Sequence, residues 1–283
     1  MLDGAAPVPE GTLRIPVVDR GFLYGEAAFE TMVGTVTPAG DARVDALEAH
    51  LRRLRSSCAP FGVPDMSAPV RSDLRHLLPV AGPGRQRIRV VVTAGEGGRL
   101  DGEGAGPAHR LVSTRPLRPY PARLYDDGAA AVLLVGRGSS VPGAKLVSYA
   151  GNIDALRRAR EAGAHEALLT DGAGRVLEGA TSNVFAVCDG VLRTPGDAGI
   201  LPGITRAQVL ALAAEAALPC AAGPLSSAAL VGAQEAFLTS TVRGVMPLTR
   251  LDGRPLGSGA PGPLTRRLAA AWAAEAGARS EVP

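Results

Sequence analysis

A single lysine, Lys145, stands in this chain; the other 29 of its 30 Lys and Arg side chains are arginine. Cysteine is scarce too. Cys58, Cys188 and Cys220 are odd in number and form no close pair, which argues against a disulfide framework and against a zinc site. A reducing cytoplasm is the expected compartment. No apolar run is long enough to span a bilayer. Residues 1–11 lack the basic and apolar regions of a signal peptide. The arginines are spread along the chain rather than grouped with aromatics, so neither a nucleic-acid nor a membrane partner is expected at a net charge of +3. With 46% hydrophobic residues, a sizeable core can form.

The lysine census is chemical information. On a solvated surface Arg replaces Lys at little cost, as expected in a chain this rich in Ala, Gly and Pro. The exchange fails where a neutral amine must attack a carbonyl, because Arg stays protonated. Lys145 is therefore a candidate nucleophile.

Around it the chain reads as mixed α and β. Arg14–Val18 is expected as a short strand, and Phe22–Val33 as a mostly extended run around Gly25. Leu47, Leu51, Leu54 and Cys58 recur at helical spacing, so 44–58 is an amphipathic helix, with a second helix over 70–78. Strands are expected over 86–93 and 110–114, separated by a Gly-rich loop, and a Pro-rich linker over 116–121. The second part opens with a strand over 130–135, a loop carrying Lys145 and a helix over 152–162. Strands at 166–170, 176–178, 183–187 and 191–193 follow. Asp171-Gly172 and Asp189-Gly190 separate them, which predicts a meander. Helices over 205–217, 226–231 and 263–275, with a strand at 235–238, complete the part.

Glu178 follows Lys145 by 33 residues (178 − 145) and opens Glu178-Gly-Ala-Thr-Ser-Asn183-Val-Phe. Pyridoxal 5′-phosphate needs an amine for its aldehyde and a carboxylate at its ring nitrogen. It also needs a donor to its ring hydroxyl, and cationic and backbone N–H donors for its phosphate. Lys145, Glu178 and Tyr149 fit the first three. The turn at Leu201-Pro-Gly203-Ile204-Thr205, opening a helix, fits the fourth. The Gly95–Gly98 stretch is no Walker or Rossmann loop, since no Lys-Ser/Thr follows and no helix begins there. The four histidines are scattered and read as structural or surface residues. No metal is expected.

Seven blocks in order carry a resemblance over about 19–268. They are Asp19-Arg-Gly-Phe-Leu-Tyr-Gly25, Phe29-Glu-Thr31, His50-Leu-Arg-Arg53-Leu54, Lys145 with Tyr149, Glu178-Gly-x-x-Ser-Asn183-Val-Phe, Leu201-Pro-Gly-Ile-Thr205-Arg, and Thr239-Ser240-Thr241. With them the chain resembles the class IV aminotransferases, the fold-type IV pyridoxal-phosphate enzymes. These include D-amino-acid and branched-chain aminotransferases and aminodeoxychorismate lyases. The resemblance implies an α+β fold of two α/β subdomains, 1–119 and 120–283, with the cofactor in the cleft between them. It implies a homodimer with shared sites.

It also implies roles. Lys145 would be the Schiff-base lysine and proton carrier, and Glu178 the partner of the pyridinium nitrogen. Arg53, Gly203, Ile204, Thr205, Ser240 and Thr241 would hold the phosphate. Leu201 would pack on the ring and Tyr149 reach the ring hydroxyl. Tyr24, Phe29, Thr31 and Arg99 would contact substrate.

The reaction expected from the resemblance is transfer of an amino group between a small D-amino acid and a 2-oxo acid. In the D-amino-acid enzymes an arginine on the loop after this strand grips the α-carboxylate, and Arg99 falls at that place. A guanidinium fork suits a carboxylate. Asp101 departs from that branch, which favours a histidine there. The Gly95-Glu-Gly-Gly-Arg99 loop and Ser148-Tyr149-Ala150 resemble the aminodeoxychorismate lyases, the alternative reading. An L-branched-chain substrate is less favoured, because Thr31-Met-Val33 stands where that branch carries Gly-Ile-Arg. A cofactor-binding protein without turnover is a third reading, against which the Lys145–Glu178 pair argues.

Overall fold

The computed structural model describes residues 1–136 and 141–283. The chain divides into two compact units, Met1–Arg118 with Ala144–Ser148 and Gly277–Pro283, and Pro119–Gly143 with Tyr149–Ala276.

The first unit is an antiparallel sheet of strands β1 (Ala27–Val36), β2 (Ala42–Asp45), β3 (Gly84–Thr93) and β4 (Arg110–Pro116), with a short C-terminal strand, Ser280–Glu281. The order is C-terminal strand, β2, β1, β3, β4. Helix α1 (Arg20–Tyr24) leads into β1, while α2 (Leu47–Cys58) and α3 (Ser67–Val80) follow β2. Alternation along β1 sends Ala28, Glu30 and Met32, all buried, to one face and Phe29 and Thr31 to the other.

Two expectations fail here. Residues 14–18 are not a strand: Pro16 lacks an N–H, and Val17 and Val18 lie in a turn with their side chains exposed. The start of the 22–33 run is not extended. Asp19 accepts a hydrogen bond from Phe22 N and caps α1, which Gly25 ends in a left-handed conformation at φ 72°.

The second unit holds a sheet of ten strands: β5 (Ala129–Val135), β6 (Glu166–Thr170), β7 (Arg175–Gly179), β8 (Asn183–Cys188), β9 (Val191–Thr194), β10 (Cys220–Ala222), β11 (Leu225–Ser226), β12 (Glu235–Ser240), β13 (Gly244–Leu251) and β14 (Arg254–Pro255). The order is β10-β9-β8-β12-β13-β5-β6-β7-β11, with β14 on β13. Its helices are α4 (Arg123–Asp126), α5 (Ala150–Glu161), α6 (Ile204–Glu215), α7 (Ser227–Val231) and α8 (Pro263–Ala274).

The expected meander is only partly present. β6–β7 and β8–β9 pair antiparallel, and Asp189 (φ 52°) and Gly190 (φ 74°) form the tight turn of the second hairpin. But β7 and β8 are not neighbours; β6, β5, β13 and β12 stand between them. Strand β13 was not expected, because Gly244 and Pro247 speak against a central strand. Pro247 is tolerated because β5 begins pairing with β13 only at Leu248.

Strand β12 divides the core by alternation. Phe237 packs with Phe185, Val209, Leu212 and Leu268 from β8, α6 and α8. Ala236 and Leu238 pack with Val184, Leu230 and Leu248. Phe185 and Phe237 stack with centroids 4.8 Å apart and planes at 11°. Phe237→Ala should therefore cost about 3–5 kcal/mol, read as a lower urea midpoint. A loss below about 1 kcal/mol would show that this layer collapses around the missing ring.

Candidate active site

In the first unit the site is built on β1 and α2. The segment around Lys145 lies along the edge of β1 that β2 leaves open. Phe29 N donates to Lys145 O (2.8 Å), Val147 N donates to Ala27 O (2.9 Å), and Ala28 and Leu146 form an antiparallel bridge. Lys145 N donates to Ser57 Oγ at 2.9 Å, and Ser148 Oγ donates to Gly25 O at 3.1 Å. A Cβ at Gly25 would meet Ser148 Oγ, so this glycine is required both for its φ and for this approach. The Lys145 Nζ sits 4.4 Å from the Phe29 ring centroid, and the Arg89 guanidinium carbon 4.1 Å from it. The residues at 29 and 145 are thus brought together, with Thr31 two positions along the Phe29 face.

On the other face of β1, Glu30 is clasped by α2. Arg53 donates through Nε to Oε1 (2.7 Å) and through Nη2 to Oε2 (2.8 Å), a bidentate fork. His50 Nδ1 lies 2.8 Å from Glu30 Oε2. All three side chains are buried. Burial alone would raise the Glu30 carboxyl, but Arg53 and then His50 hold it well below the usual carboxylate range. Burial lowers His50, Glu30 opposes this, and the charges of Arg53 and Lys145 add to the lowering. The neutral imidazole then donates from Nδ1 to Glu30. His50, Arg53 and Ser57 recur at helical spacing, so one face of α2 holds the Glu30 cluster and the Lys145 main chain.

Tyr24 and Arg99 belong to the same unit. Tyr24 ends α1 and is exposed. The Arg99 side chain, 74% exposed, stands 3.5 Å from Glu103 and 4.0 Å from Asp101.

In the second unit Glu178 lies buried near the end of β7. Its Oε2 accepts from Leu201 N at 2.9 Å, and Asn183 Nδ2 donates to Leu201 O at 3.0 Å, so the Leu201 residue is held at both backbone ends. Gly203 precedes α6, and a Cβ there would collide with Asn183 Oδ1. A glycine cannot cap the helix with a side chain. The N–H groups of Ile204, Thr205 and Arg206 precede the first helical bond, Ala207 N to Gly203 O. Arg206 is fully committed nearby, to Thr194, Asp197 and Pro195 O. Ser240 ends β12 and Thr241 begins the turn to β13, both half-buried. The hydroxyl of Thr239 is buried and has no hydrogen-bond partner among the described residues. Tyr149 Oη donates to Ala180 O at 3.4 Å, and Asn152 Nδ2 to the same oxygen at 2.8 Å.

Two features were missed in the sequence. Glu166 on β6 is completely buried; its Oε2 accepts from Arg243 Nη1 (2.8 Å), Thr181 Oγ1 (2.6 Å) and Ser182 Oγ (3.0 Å). This braces the turn between Glu178 and Asn183. Asn152 and Asn183 are the chain's only asparagines. The census that singled out Lys145 would have found them as well.

The donor set suits pyridoxal 5′-phosphate. It offers one amine on a fixed backbone, one buried carboxylate, a helix start without a side-chain cap, and an unsatisfied buried hydroxyl on β12. Among the described residues no cluster suits a metal ion, and no helix is long and apolar enough to cross a membrane.

Comparison with known proteins agrees. A family model described as amino-transferase class IV matches residues 27–251. The chain is 32% identical to the D-alanine aminotransferase of Bacillus licheniformis over 90% of its own length and 89% of that protein's. It is also 32% identical to a putative branched-chain-amino-acid aminotransferase of Methanocaldococcus jannaschii, over 92% and 91%. Among solved structures, the branched-chain amino acid aminotransferase of Thermobaculum terrenum, in its PLP-bound holo form, superposes with a TM-score of 0.83 at 25% identity, covering 98% of this chain and 93% of that one.

The Glu30 cluster generates a prediction. Glu30→Gln leaves the Arg53 charge buried beside a neutral amide and should cost about 3–5 kcal/mol at neutral pH. The contribution of a carboxylate with a depressed folded pKa is full above its unfolded value of about 4.3 and fades as the pH falls toward the folded one. The gap in urea midpoint between the two proteins should therefore narrow in acid. A gap of constant width would contradict this assignment.

Proposed function

The chain belongs to the amino-transferase class IV family, with the α+β fold of the fold-type IV enzymes and pyridoxal 5′-phosphate as cofactor, and on that premise we propose that it moves an amino group between a small D-amino acid and a 2-oxo acid. The observation that carries the choice of substrate is Arg99. By the resemblance it falls on the loop after β3 where the D-amino-acid enzymes grip the α-carboxylate, and among the described residues its exposed guanidinium stands near two surface carboxylates. Such exposed pairs are weak and can be exchanged for a substrate carboxylate.

The cofactor supplies an aldehyde for the amino group and a ring that accepts electrons. The Lys145 amine would hold that aldehyde and would move the proton at the substrate Cα. Its backbone is pinned to Phe29 and Ser57, so only the side chain moves. Glu178 keeps the ring nitrogen protonated, its orientation set by Leu201 N. The start of α6 at Gly203, Ile204 and Thr205 offers N–H groups to the phosphate, with Ser240 and Thr241. Arg53 adds its charge from a position that Glu30 fixes. Leu201 packs on the ring, Tyr149 serves the ring hydroxyl, and Tyr24, Phe29 and Thr31 line the substrate pocket.

A homodimer in the cytoplasm is part of this reading. The exposed apolar side chains Val17, Val18, Phe22, Leu23 and Tyr24 support it, since monomers rarely leave such stretches to water.

A second reading, an L-branched-chain aminotransferase, is supported by the names of the M. jannaschii and T. terrenum relatives. One experiment separates the two. D-alanine added to the yellow holoenzyme should bleach it and release pyruvate, whereas L-leucine should leave the colour unchanged. Bleaching by L-leucine alone would overturn the D-amino-acid reading. Lys145→Ala should abolish turnover with either; residual activity above background would remove Lys145 from its role.

A further inference from the structure

Arg20 is buried to 1% exposure at the start of α1, although the resemblance gives it no role. Removing a guanidinium from water is costly unless its N–H groups are met. Here they are met almost entirely by one loop. Nη1 donates to Gly97 O (3.0 Å) and Arg99 O (2.7 Å), Nη2 donates to Leu100 O (2.9 Å), and Nε donates to Glu26 Oε2 (2.6 Å). Its backbone adds to the grip. Arg20 N donates to Gly95 O, and Gly97 N donates to Val18 O.

The loop needs such a clamp. Gly95, Gly97, Gly98, Gly102 and Gly104 all have positive φ. Gly95 and Gly98 press so closely on the returning leg, at Gly106–Pro107 and Ala105, that a Cβ has no room at either. Glycine permits this path but gives the unclamped loop many others. The pairs from Arg99 to Asp101 and Glu103 are exposed and cannot hold it. The backbone of Arg99 is fixed instead: its N donates to Glu103 O, and its O accepts from both Gly102 N and Arg20 Nη1. The same guanidinium lies 5.2 Å from the centroid of the Tyr24 ring.

We propose that Arg20 is a positioning residue for substrate binding: its buried fork sets the Gly97–Leu100 backbone so that Arg99 meets the substrate carboxylate, and it ties that loop to Tyr24. The inference rests on the reading of Arg99 as the carboxylate grip. It assigns to Arg20 no contact with substrate.

The test is a double-mutant cycle on the holoenzyme with Arg20→Lys and Arg99→Gln. Lysine keeps the charge but not the planar fork. Arg20→Lys should raise KM for the amino donor and for the 2-oxo acid about tenfold with kcat changed less than about threefold, the pattern of lost uniform binding. The double variant should be no worse than Arg99→Gln alone, because a residue acting through Arg99 has nothing left to position. Multiplying effects, or an unchanged KM in Arg20→Lys, would overturn the inference while leaving Arg99 its role. An unchanged KM in Arg99→Gln would overturn the reading of Arg99 and this inference with it. Should Arg20→Lys fail to fold, Glu26→Gln loosens the same guanidinium from the half-exposed side, and the cycle is run with it.

Discussion

The first unit depends on one carboxylate kept charged away from water. Glu30 sits in the middle portion of β1, and α2 turns toward it two cationic or hydrogen-bonding groups one turn apart. A buried ion pair of this kind contributes little net stability, since desolvation offsets the attraction, but it tolerates one geometry only. That geometry fixes the rotation of α2 about its axis. The rotation in turn places Ser57 under Lys145 N, so the Lys145 backbone is set by an interaction on the opposite face of the strand it borders.

The second unit holds its own backbone with a buried carboxylate, an amide and a buried ion pair. The Leu201 residue is held by Glu178 at its N–H and by Asn183 at its carbonyl, while the turn joining Glu178 to Asn183 is braced by Glu166 and Arg243. Glu166, Glu178 and Asn183 come from strands, and Arg243 from the turn between β12 and β13. In both units buried, hydrogen-bonded side chains fix the backbone beside them.

Much of this was legible in the sequence. Lys145 stood out because it is the one lysine beside 29 arginines. Glu178, Gly203 and Thr205 stood in blocks whose order is specific. Helix α2 followed from apolar spacing, and helices were also expected where α5 and α6 lie. Other parts were hidden for physical reasons. Strand β13 carries a proline that only its uneven pairing with β5 permits. The separation of β7 from β8 is a matter of sheet order, which local periodicity does not encode. Glu30, Arg20 and Glu166 drew no role from the sequence, because their partners are distant in sequence or supplied by main-chain carbonyls. The phosphate role expected for Arg53 came with no hint that two of its donors would be engaged by Glu30.

The first unit is stitched from three separate stretches of chain, and the last of them matters most for timing. Helix α2 begins without a capping side chain of its own, from Ala46 in a left-handed conformation. Its cap arrives from the far end of the sequence: Glu281 accepts from Glu48 N, Arg279 O accepts from Ala46 N, and Ser280 bonds Asp45. During synthesis the ribosome must therefore deliver residues 277–283 before the helix bearing His50, Arg53 and Ser57 is closed at its start. The second unit, continuous from 149 to 276, has all but its first strand and linker in one stretch. Contacts this distant in sequence form slowly, so the nascent chain carries an α2 open at its start until residues 279–281 have been made, a stage at which unburied surface can misassemble.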